Sequence, residues 1–348
     1  MKTTLRIVSV ISFYLFSFSF VSAQDDSPVA YMNLIEKAEQ DANQKYLAYV
    51  SAAAHSSRVR KIEKMRQQLL EGIIKSRNSV IGTPFYKGDK TLRQSSIDYL
   101  NFLYLIFNED YAKIVNTEEI AEQSYNEMQA YLLLQEKTSE KLNDAQIKRE
   151  FATKEFAAKN KINLIQGSSE MGDKMKKASE VIKYRNKVYM VFFKCNWQWN
   201  EMNKAVKNGK INDIEQARNA VISYAKEGMT ALDTLKNFEG DPSIANTCRH
   251  AMNQYKRMAE TDVPKLTDFI LKTENFEKVK KSYDSKSQRD RTQQDVDNYN
   301  KAVNEMNAGI NAYNSTNKYL YDQQNEVIKS WEKADKDFAD EHTPYFKK

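Results

Sequence analysis

Apolar residues recur along most of the chain at spacings of three and four, the period of an amphipathic helix, and no stretch carries a strand pattern. Tyr31, Ile35, Ala38, Ala42, Tyr46, Tyr49 and Ala53 form the first stripe. Asp26-Ser27-Pro28 opens it, a cap followed by Pro at the first helical position. His55-Ser56-Ser57 breaks it, and Val59, Ile62, Leu69, Ile73 and Val80 stripe a second helix that ends at Gly82-Thr83-Pro84. A third runs from Asp89 with Leu92, Leu100, Leu103, Ile106 and Phe107 inward. Asn116-Thr117 caps a fourth with no breaker before Gly167, roughly 45 residues or about 68 Å at 1.5 Å per residue. Its last 20 residues or so outrun the first three helices, so Ala145, Ala152 and Phe156 need a partner beyond them. Met175, Ala178 and Ile182 of the next helix are nearest in sequence.

Residues 167–172 (GSSEMG) read as a linker. Beyond it, helices are expected over 173–208, 212–236, 241–260 and 292–340. Val263-Pro264 interrupts, and Leu266, Phe269, Ile270, Phe276 and Tyr283 mark one more amphipathic segment before the last helix. Short connections make successive helices antiparallel neighbours, so each half reads as an up-down-up-down bundle.

The halves also resemble each other. Ile62-Glu63-Lys64-Met65-Arg66 returns as Ile214-Glu215-Gln216-Ala217-Arg218, and Gly88-Asp89 as Gly240-Asp241, both at an offset of 152. Asn126-Glu127-Met128-Gln129-Ala130 returns as Asn304-Glu305-Met306-Asn307-Ala308, and Leu142 aligns with Leu320, both at 178. A long fixed period signals one structural unit used twice, here with 178 − 152 = 26 extra residues in the second copy. The fold expected is therefore all-α, with two tandem, duplicated four-helix bundles over 28–166 and 173–342. In each Gly-Asp turn, Gly is expected to end one helix in the left-handed region and Asp to accept bare N–H groups of the next.

Composition adds a compartment. Lys2 and Arg6, the apolar run Ile7–Val21 and the small residues Val21-Ser22-Ala23 have the form of an export signal over 1–23. Removing it leaves 51 basic against 47 acidic residues, a net of +4, too balanced for a nucleic-acid binder. Tyr99–Phe107 is the most apolar later stretch, and nine residues cannot span a bilayer, so no transmembrane segment is expected after cleavage.

Catalytic chemistry has little to build on. His55, His250 and His342 lie in no HExxH, and GxSxG, GxxxxGK[ST] and GxGxxG are absent. No catalytic, cofactor-binding or metal-ligating set is assigned, and a non-enzymatic role is expected. Three features bear on binding or stability. Cys195 and Cys248, in an exported chain, could form a disulfide or remain buried thiols. Trp197 and Trp199 are two apart and point about 200° from each other on a helix. They offer either an aromatic platform for a glycan or small ligand, or a helix covered on two sides. Arg58, Arg60, Lys61, Lys64 and Arg66 against Glu63 give +5 − 1 = +4 over nine residues. Such a face suits an anionic glycan or surface, or solvent.

The run Asn108-Glu109-Asp110-Tyr111-Ala112-Lys113-Ile114-Val115, continued by Glu118-Glu119-Ile120-Ala121-Glu122-Gln123-Ser124-Tyr125, resembles a family of exported helical surface proteins of Bacteroidetes and spirochaetes with no established activity. The resemblance is clearest over 31–155. It implies export, periplasmic or at the cell surface, and a helical fold, and it supplies no site residues. The expected role is an interaction or structural component of the bacterial envelope, meeting an envelope protein or an anionic glycan or surface.

Overall fold

The computed structural model describes residues 27–55, 59–110, 124–164 and 170–345. Among them the chain is all-α. The helices are α1 (Pro28–His55), α2 (Val59–Gly82), α3 (Thr91–Leu105), α4 (Tyr125–Lys159), α5 (Glu170–Asn208), α6 (Ile211–Thr234), α7 (Ser243–Thr261), α8 (Val263–Asp284) and α9 (Gln293–His342). A π-helical turn, Ile106–Asp110, continues α3. None of these helices is long and apolar enough to cross a membrane. The export segment, Asn116-Thr117 and Arg58 lie outside the described residues.

Among the described residues two compact units emerge, one reaching to 186 and taking in 336–345, the other over 187–335. They do not follow the expected 28–166 and 173–342 partition. The chain changes unit inside α5 and inside α9, where the helices are continuous and no turn residue marks the change. Residues 170–172 of the expected linker already belong to α5.

In the first unit α1 packs on α2, α2 on α3 and α3 on α4. Tyr31, Ile35, Ala42, Tyr46 and Tyr49 of α1, with Leu69, Ile73 and Val80 of α2 and Leu92, Leu100 and Leu103 of α3, are buried as their spacing requires. Tyr46 and Tyr49 each meet the edge of Phe107 at 5.8 Å. α4 is 35 residues long, shorter than the expected 45. It begins at Ser124, whose hydroxyl accepts the Glu127 N–H at 3.1 Å. It ends in a Schellman closure: Ile162 N–H reaches Ala157 O at 2.8 Å, with Lys161 at φ 54°. Its later part does not overhang. Phe156 packs on Tyr31 of α1 at 5.6 Å and on Tyr86 at 5.5 Å.

In the second unit α6 packs on α7, and α8 on both. Trp199 and Tyr255 join α5 to α7 at 5.5 Å, and Phe192 and Trp331 join α5 to α9. The additional segment is α8, whose Phe269, Phe276 and Tyr283 lie against Tyr313 and Tyr299 of α9 at 4.5 to 6.0 Å. Together they form an antiparallel helical hairpin within this unit.

Elements of the two units recur at fixed offsets. α2 and α6 are each 24 residues long and begin 211 − 59 = 152 apart. α1 and α5 end 208 − 55 = 153 apart, because the α5–α6 connection is one residue shorter. The register is therefore not gap-free across that connection. Tyr86-Lys87-Gly88-Asp89 and Phe238-Glu239-Gly240-Asp241 make the same turn. Asp N–H bonds to the aromatic residue's carbonyl at 2.8 and 2.9 Å, with both central residues at positive φ. Gly88 and Gly240 do not end the preceding helices, which stop at Gly82 and Thr234, but form separate tight turns. Asp89 and Asp241 do accept a first N–H of the next helix, from Thr91 and Ser243, each at 2.8 Å.

Candidate functional site

The basic start of α2 is partly neutralised by its own helix. Arg66 binds Glu63 at 2.7 and 2.9 Å and donates to the Phe107 carbonyl at 2.8 Å. Arg66's hydrogen bonds, the largest influence, help to hold the Glu63 carboxyl below the usual range. The same pair recurs as Arg218–Glu215 at 2.7 Å. Arg60, Lys61 and Lys64 remain exposed. Their counterparts at offset 152 are Asn212, Asp213 and Gln216.

The two tryptophans separate as their spacing demands. Trp199 is fully buried, so it presents no ring face to a ligand; Trp197 is half-buried. The Trp197/Trp199 pair is therefore not an exposed platform, because one member of it is core.

Cys195 and Cys248 are both buried free thiols, and the candidate bridge is not formed. Each sulfur lies against a backbone carbonyl, Cys195 against Val221 at 3.9 Å and Cys248 against Val188 at 3.8 Å. Burial pushes both thiols well above their ordinary range, which suppresses the thiolate.

The first unit holds a buried polar seam that the periodicity did not single out. Glu39 occupies α1's buried face, four residues after Ile35. Its carboxylate accepts from the Ser96 hydroxyl of α3 and from Arg149 of α4, at 2.9 and 3.3 Å for the latter. Arg149 also donates to Thr153. The ion pair is nearly enclosed, with side-chain exposures of 11% for Arg149 and 8% for Glu39. Burial, and then the Glu39 charge, push the neighbouring Tyr99 hydroxyl well above the phenol range.

Arg149 and Tyr99 also line a groove of about 720 Å³ between α3 and α4. Phe102 and Ala145 lie on its walls, with Asp98 from α3 and Asp144 and Lys148 from α4. In the second unit the counterpart positions are bridged by side chains. Gln254 and Gln323, at the offsets of Phe102 and Ala145, hydrogen-bond directly across α7 and α9. Arg257 bonds Tyr319, the counterpart of Lys141. The sequence signal was available in the offsets: a small residue, Ala145, where the second half has an amide long enough to reach across.

Compared with known proteins, the chain matches no family model, no curated protein and no solved structure.

Proposed function

We propose that this chain is an exported, non-enzymatic interaction or structural component of the bacterial envelope, built from one helical unit used twice. The form of its N-terminus supports export to the periplasm or cell surface. The shared offsets of α2 with α6, and of the two tight turns, support a common ancestry for the units.

One observation carries the partner class. Arg60, Lys61 and Lys64 are exposed together on the first turns of α2, whereas the corresponding positions of α6 carry no positive charge. The shared frame does not require these cations, so they are available for an anionic partner. We read that partner as an anionic surface or glycan of the envelope.

The test is sedimentation with vesicles containing phosphatidylglycerol and, in parallel, retention on polygalacturonate, each over a salt series. At low salt the intact chain binds at least one of them, and the triple variant Arg60→Gln, Lys61→Gln, Lys64→Gln loses most of that binding without losing helicity. Equal binding by the triple variant would sink the assignment. So would absence of binding by the natural chain on both supports.

A further inference from the structure

The side chains that line the α3–α4 groove of the first unit have a definite chemistry. At about 720 Å³ it falls within the roughly 300–1,000 Å³ typical of small-ligand pockets. In the second unit, Gln254 and Gln323 span the equivalent gap. In the first, Phe102 and Ala145 cannot hydrogen-bond to each other.

Three properties of the groove restrict what it would take. Phe102 supplies an aromatic wall, with the largely buried Tyr99 also in the lining. Arg149 is held in place by Glu39 and Thr153, so its orientation is fixed before a ligand arrives. The remaining charges come in both signs: Asp98 and Asp144 are exposed carboxylates, and Lys141 and Lys148 are exposed ammoniums. With Arg149 balanced by Glu39, no single sign dominates. A purely anionic ligand would meet two carboxylates, and a purely cationic one would meet Lys141 and Lys148 beside Arg149.

The geometry points to a binding site for a short zwitterionic peptide. Its ammonium is taken by Asp98 or Asp144, its carboxylate by Lys148, and its side chains lie against Phe102. This goes beyond the surface role proposed for α2, uses none of its residues and can fail without it.

The probe is a set of tripeptides, Ala-X-Ala with X as Ala, Leu, Phe, Glu or Lys, measured on the intact chain by saturation-transfer NMR. Two controls accompany them: the same peptides acetylated and amidated at their ends, and chitotriose as an uncharged saccharide of similar size. At least one free-ended peptide binds with a dissociation constant at or below about 1 mM, and capping both ends weakens it about tenfold or more. Ala145→Gln, which installs the second unit's amide, abolishes binding. Lys148→Glu, at an exposed position where folding is not at stake, weakens it about tenfold.

The proposal fails if no free-ended peptide binds below about 10 mM. It also fails if capped peptides or chitotriose bind as well as free peptides. Retained binding by a folded Ala145→Gln chain places any site elsewhere; should that variant not fold, undiminished binding by Lys148→Glu is equally decisive.

Discussion

At one level of the first unit, α1, α3 and α4 contribute Glu39, Ser96, Arg149 and Thr153. At the counterpart positions of the second, α5, α7 and α9 contribute Phe192, Cys248, Val327 and Trp331. The first set is an ion pair with two hydroxyl partners. The second is centred on a ring stack, with Phe192 on Trp331 at 4.4 Å and 8° between planes. Between these levels and the other end of the helices, Thr138 and its counterpart Thr316 are buried alike. Helices at matching offsets thus carry two unrelated interiors. Exchanging a buried ion pair for packed apolar residues is often energetically neutral, so neither seam is demanded by the fold. What differs is how each seam behaves when damaged, and what it leaves open beside it.

The largest effect comes from breaking the polar seam on one side. Arg149→Met leaves Glu39 buried with only Ser96, and a stranded buried charge costs about 3–5 kcal/mol. The double variant Glu39→Leu, Arg149→Met should recover most of that loss. Urea unfolding of the intact chain measures the total, and hydrogen exchange over 27–164 locates it. A single variant as stable as the natural chain would mean that water reaches Glu39 and the seam is not sealed. In the second unit, Trp331→Ala removes a ring rather than a charge, at a similar cost of about 3–5 kcal/mol, but no apolar partner change restores it in a pairwise way.

A close contact gives the next effect. A Cβ at Gly228 would stand 2.7 Å from Val191 Cγ1 and 3.1 Å from Met252 Sδ. Its counterpart in the first unit is Ser76, whose hydroxyl accepts the Ala42 N–H at 3.1 Å. Gly228→Ser should therefore overpack the second unit by about 1–3 kcal/mol. A thermal melt that does not shift downward would show that Val191 and Met252 give way freely.

Gly88 and Gly240 should behave identically if the two turns are one device. Both have open space around the missing Cβ, and φ is 81° and 88°. Ala at either therefore costs only the left-handed backbone penalty, about 1–2 kcal/mol. Unequal losses in the two melts would separate the turns despite their matching geometry.

These cases show which parts of the structure were legible. Period-3.6 stripes and Gly or Pro punctuation located the cores of α1 to α3 and of α5 to α9, because each signal is local. Neither observed end of α4 carries such a signal. Its C-terminus closes on Lys161 in the left-handed region, a position usually marked by Gly, and its start at Ser124 lies within a polar run. The change of unit inside α5 and α9 has no local signature at all. The seam and groove depend on residues brought together across three helices. Glu39 at a core spacing of α1 was the one sequence hint of the seam, and it needed Arg149, 110 residues away, to be interpreted.

The smallest effect concerns the starts of α4 and α9. α4 opens with Ser124 capping Glu127 N–H, and α9 opens with Thr292 and Asp295 in a reciprocal box. Thr292 N–H donates to the Asp295 carboxylate at 2.8 Å, and Asp295 N–H returns to the Thr292 hydroxyl at 3.2 Å. Lys286, from the turn that closes the α8–α9 hairpin, adds a contact at 2.6 Å. The hydrogen bond from Lys286, then those from Thr292, lower the Asp295 carboxyl from 3.8 to about 2. A folded-state value below the unfolded one means the carboxylate stabilises the folded turn at all pH above about 4 and loses that contribution as pH falls towards 2. Carboxyl-carbon NMR titration should therefore give Asp295 a midpoint near 2 in the intact chain. Lys286→Ala should move the midpoint up towards the ordinary aspartate value, and Thr292→Val should move it less, since the backbone donor remains. An ordinary midpoint in the natural chain would mean the box and the lysine contact do not persist in solution, and that α9 begins with no more than α4 has.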